Sequence, residues 1–229
     1  MERTGLRIPR IRARLASACL AGMAAVHLTY LWWSWEMAEC VDALGHDPDA
    51  VNGIIEHAAL LSTIDQMHFA SLLVTALVFF SWFCQIDANA QSAGCEEPMG
   101  SRLGMLARSW FVPIVNWVMP YALVVDTWKE CRRTDEDYVP GAPGKSWAIH
   151  AWGVSWISMW VALACMRSAR QIDTVESMDT TISAVAATSA ICTITAVLAI
   201  FMVRALTDRQ AELVVAPRAR VITGARVGG

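Results

Sequence analysis

The sequence predicts an all-α membrane protein with four transmembrane helices and one Pro-broken helical segment, re-entrant or interfacial. Three observations point there. The chain is 55% hydrophobic and 17% charged, whereas soluble domains carry about 25% charged residues. Four runs, 15–35, 67–86, 147–166 and 182–203, contain no Lys, Arg, Asp or Glu and meet the length of about 20 residues that a bilayer demands. A fifth apolar stretch, 110–125 (WFVPIVNWVMPYALVV), carries two prolines and an asparagine.

Taken in order, residues 1–14 form a basic tail with Arg3, Arg7, Arg10, Arg12 and Arg14. The run at 15–35 is longer than the apolar region of a signal peptide, and no small-residue cleavage site follows it, so it reads as a retained anchor. Residues 36–66 read as an external loop in which Asp47 or Asp49 caps a helix. The second run ends near Ile86. The stretch 110–125 would reach about 24 Å as a straight helix, short of the roughly 30 Å hydrocarbon core. Pro113 and Pro120 each remove a backbone donor, which opens carbonyls four residues upstream. Asn116, between them, is placed to cap such groups, or to contact a ligand directly. Residues 129–146 are charged and then rich in Pro and Gly, a linker composition. The run at 147–166 bears a ridge of Trp152, Trp156 and Trp160, and the run at 182–203 has small residues that permit close helix approach. Residues 15–207 thus form a single transmembrane domain, followed by a disordered tail at 208–229.

Charge placement chooses the topology. With four spans and 110–125 on the inner side, all basic residues except Arg167 and Arg170 lie on one face of the membrane. With five spans, the cluster of Lys129, Arg132, Arg133 and Lys145 would fall outside. The excess of Lys and Arg on cytoplasmic segments favours four. The expected location is the plasma membrane, multi-pass, with both termini cytoplasmic.

Trp82, Asn89-Ala90, Trp110-Phe111-Val112-Pro113-Ile114, Asn116, Pro120-Tyr121, Val125 and Trp128, followed by a Trp-rich helix, form a pattern over roughly 67–166. In this pattern the chain resembles the bacterial domain-of-unknown-function family 4328. The resemblance implies a multi-pass membrane protein and supplies no reaction.

The residues themselves point to few chemistries. No Gly-rich phosphate loop, nucleophile elbow or paired-carboxylate spacing is present, and no catalytic residue is assigned. A formal charge of −3 argues against nucleic acid as a partner. No cofactor is implied. The seven cysteines form no C-x-x-C pair. His27 and His150 lie inside spans, where an ionisable residue is a functional candidate by default, set against an ordinary hydrogen-bonded histidine. His57, Asp65 and His68 share one membrane face, and the last two are three apart, but the spacing matches no strong metal signature and no metal is assigned. The favoured function is a non-enzymatic membrane module that binds or scaffolds a lipid, another membrane protein or a second copy. The alternative is a small transporter or channel using the broken helix. The binding residues expected are Asn116, Pro113, Pro120, Tyr121, His27 and His150.

Overall fold

The computed structural model describes residues 9–44, 46–47, 49–92, 104, 112, 115–133, 146–169 and 175–224. They form α1 (Arg10–Ala43), α2 (Ala50–Ser92), a 3₁₀ turn (Val115–Trp117), α3 (Met119–Arg133), α4 (Ser146–Ala169) and α5 (Val175–Gly224). Among the described residues, the four α-helices other than α3 are long and apolar enough to cross a membrane. The protein is an all-α membrane protein. Its surface agrees: Phe69, Leu77, Val154 and Val161 are more than half exposed. Apolar exposure on this scale is unfavourable in water and natural against lipid.

The helices outrun the apolar windows. α1 continues to Ala43 and α2 begins at Ala50, so most of the expected external loop is helical. Its acidic residues bond within the helix: the Trp32 and Trp35 indole N–H groups donate to Glu36 and Glu39, at 3.1 and 2.8 Å. The turn between α1 and α2 uses Asp47, whose carboxylate accepts the Asp49 N–H at 2.9 Å. That local bond starts α2 in the way the sequence predicts for an Asp at this position. At the other end, α5 runs on to Gly224, so the segment expected to be a disordered tail from 208 is helical that far.

Segment 110–125 also differs in detail. Pro113 lies outside the described residues. Pro120 occupies the first turn of α3, where a missing N–H costs nothing because the first turn has no intrahelical acceptor for it. It therefore starts a helix rather than kinking one. α3 has 15 residues, about 22 Å of helix against a hydrocarbon core of about 30 Å. It also extends past the apolar stretch into Lys129, Arg132 and Arg133, which the sequence reading assigned to a linker.

Contacts gather the chain into two compact units, and each long helix contributes residues to both. The first comprises Met1–Ser17, Leu77–Ala151 and Phe201–Gly229; the second comprises Ala18–Ala76 and Trp152–Ile200. In the second unit, Val26, Tyr30, Trp33, Met37 and Val41 of α1 form a core with Ile64 of α2 and Ile182 of α5. α4 and α5 are tied there by Thr195 and Thr188, whose hydroxyls donate to the carbonyls of Ser155 (3.1 Å) and Ala162 (3.4 Å). Ser189 and Cys192 are buried along the same stretch of α5, the close approach that its small residues permit. Trp152, Trp156 and Trp160 stack along α4 with ring centroids 5.6 and 6.0 Å apart.

Candidate functional site

The first unit assembles most of the predicted site residues. α3 buries one stripe, Pro120, Leu123, Val124 and Thr127, spaced three and four apart as a single helix face requires. Trp117, in the turn at 115–117, is 43% exposed. Asn116 sits in this 3₁₀ turn, half-buried, and its backbone N–H donates to the Val112 carbonyl at 2.8 Å.

Tyr121, in the first turn of α3, meets His150 of α4. The hydroxyl and Nδ1 stand 2.8 Å apart on an exposed surface, and the rings are steeply inclined with centroids 6.1 Å apart. With the hydroxyl donating, the imidazole carries its proton on Nε2. Two residues chosen separately from the sequence are thus one pair. One turn before His150, Trp147 is 57% exposed and touches the Phe201 ring of α5 at 5.9 Å.

Beneath this surface lies a polar network that sequence reasoning missed. Trp82, fully buried, donates its indole N–H to the Thr207 hydroxyl at 3.2 Å. The Gln210 amide donates to the Ile86 carbonyl and accepts from Asn89 at 3.0 Å. The Thr127 hydroxyl donates to the buried Asp87 carboxylate at 3.4 Å. Each buried polar group here gains a partner that a low-dielectric interior makes costly to lose. These bonds fasten α2, α3 and α5 together within the unit, so Tyr121 and its helix rest on a braced platform. One signal was available. Thr207 and Gln210 form a polar i, i+3 pair beside apolar Val203 and Leu206, but they fall beyond the apolar window that defined the last span.

His27 lies in the second unit, apart from the residues grouped with it in the sequence reading. It is 9% exposed. Its ring centroid is 5.0 Å from His68 and 6.1 Å from Tyr30, and Tyr30 donates its hydroxyl to Asp65. Nδ1 of His27 is buried with no hydrogen-bond partner among the described residues. The weak metal candidates do not converge. His57 Nδ1 is 2.8 Å from the Gly53 carbonyl, one turn earlier. Asp65 is engaged by Tyr30. Among the described residues no three His, Cys, Asp or Glu side chains are grouped to hold a metal ion. A shallow groove of about 560 Å³ runs along α2 between Ala58 and Phe69, with Ser62, Asp65 and Gln66 as its polar members.

Comparison with known proteins bears on the first unit most directly, since the motif residues Trp82, Asn89, Pro120 and Tyr121 all lie in it. No curated protein matches the chain, and no solved structure does. The family model described as "Domain of unknown function (DUF4328)" matches residues 52–208, a wider stretch than the motifs alone mark. The chain belongs to the DUF4328 family.

Proposed function

We propose that the protein is a non-enzymatic module of the plasma membrane that binds or scaffolds a membrane component, with both termini cytoplasmic. The observation that carries this reading is the placement of α3. One face of this short helix is buried against the braced platform, while its entry turn and first turn turn Trp117, Val118 and Tyr121 toward the surface. A helix held this way is a presenting element. The orientation rests on charge: every Lys and Arg except Arg167 and Arg170 falls within the first unit, as cytoplasmic segments favour. A pull-down of the tagged full-length chain from gently solubilised membranes tests the reading. A specific protein or lipid should co-purify with the wild type. Recovery of the chain alone, with only bulk lipid in bulk proportions, contradicts it.

His27 favours a second reading, a small transporter. An imidazole buried in a membrane helix with an unpartnered nitrogen carries a desolvation cost of about 1–3 kcal/mol that no hydrogen bond to that nitrogen offsets among the described residues. His27→Leu should therefore leave the detergent-solubilised protein as stable as wild type or more so, by about 1 kcal/mol, as read by thermal unfolding. Marked destabilisation would show that His27 has a structural partner and would remove the support for transport.

A further inference from the structure

The exposed face of the first unit has a specific chemistry. It presents a hydrogen-bonded Tyr121–His150 pair flanked along the chain by two exposed indoles, Trp117 and Trp147. Phe201 touches Trp147, and Arg204, one turn further along α5, is exposed. We propose that this face binds the headgroup of an anionic phospholipid, with His150 and Tyr121 as the contact residues. The assignment rests on the reading of the protein as a membrane-binding module and names its ligand.

When the Tyr121 hydroxyl donates to Nδ1, the ring of the exposed His150 is held in one tautomer and one orientation, and Nε2 is left as an N–H donor. A phosphate oxygen is the natural acceptor at the headgroup level of a membrane. Indoles favour the same level, since the apolar body meets the acyl boundary while the N–H stays wet. Charge selects an anionic headgroup over a zwitterionic one. The first unit holds nearly all of the Lys and Arg residues, and each basic residue near the surface contributes about 1 kcal/mol toward anionic lipid. Exposed Arg204, one turn along α5 from Phe201, adds such a charge. Lys129 contributes less, because Asp126 stands 3.8 Å from its ammonium.

The experiment uses the full-length chain in detergent, titrated with phosphatidylglycerol or phosphatidylcholine and read by native mass spectrometry. Wild type should bind phosphatidylglycerol in preference to phosphatidylcholine. His150→Leu should weaken phosphatidylglycerol binding about tenfold, the loss of one charge-assisted hydrogen bond. Tyr121→Phe, which keeps the ring and removes the hydroxyl, should weaken it in the same direction with unfolding temperature unchanged. Arg204→Gln should narrow the preference between the two lipids. Equal binding of both lipids by wild type, or phosphatidylglycerol binding that ignores His150→Leu and Tyr121→Phe, overturns the assignment. If a protein partner still co-purifies in that case, the binding-module reading stands and only its ligand is wrong. If neither lipid nor protein is retained, both fail.

Discussion

Trp82→Ala is expected to destabilise the protein by about 3–5 kcal/mol, the cost of emptying a fully packed indole site. Trp82 has no exposed surface and packs beside Phe79 and Phe83, with ring centroids 5.2 and 6.1 Å away. Truncation removes this packing and also leaves the Thr207 hydroxyl without the indole N–H that it accepts. Thr207 keeps its own bond to the Val203 carbonyl, at 2.8 Å, so the packing loss dominates. Thermal unfolding in detergent checks the magnitude. A change below about 1 kcal/mol would mean that the first unit is not built around Trp82.

The second large effect is expected at Gln210. Its amide serves two elements of α2 at once, accepting from Asn89 and donating to the Ile86 carbonyl. Gln210→Leu keeps much of the volume but removes both hydrogen bonds, one from the part-buried Asn89 amide and one to the Ile86 carbonyl, which keeps its bond within α2, at about 1 kcal/mol for each bond lost. Gln210→Glu is a stricter probe. An ionised carboxylate in this buried position has only acceptors to offer, so it cannot donate to Ile86. Both variants should unfold at lower temperature than wild type, and Asn89→Leu combined with Gln210→Leu should cost less than the two single changes added together. Strict additivity would show that the amides act separately.

The four spans were legible in the sequence because span length and absence of charge are both properties of a chain in order. Helix ends were less so. Glu36, Glu39 and Asp42 end the apolar window of the first span, yet they continue the helix as a solvated extension. The meaning of Pro120 depended on where α3 begins, and neither hydrophobicity nor spacing marks that start. The candidate site was half legible. Tyr121 and His150 could each be chosen as a polar residue in an apolar run, but their pairing joins positions 29 apart in sequence. The bracing by Asp87, Thr127 and Gln210 depends on separations of 40 and 124 residues, for which a single sequence has no signal.

The proposed topology puts α3 on the cytoplasmic side of the membrane without crossing it. Impermeant maleimide labelling of intact cells tests this directly, on a background with the native cysteines replaced. Asp47→Cys places a thiol in the exposed turn between α1 and α2, and Lys129→Cys places one on the exposed face of α3. Asp47→Cys is expected to be modified in intact cells, and Lys129→Cys to react only after permeabilisation. Modification of Lys129→Cys from outside would contradict this topology, because α2, α3 and α4 would then all cross and the chain would have five spans.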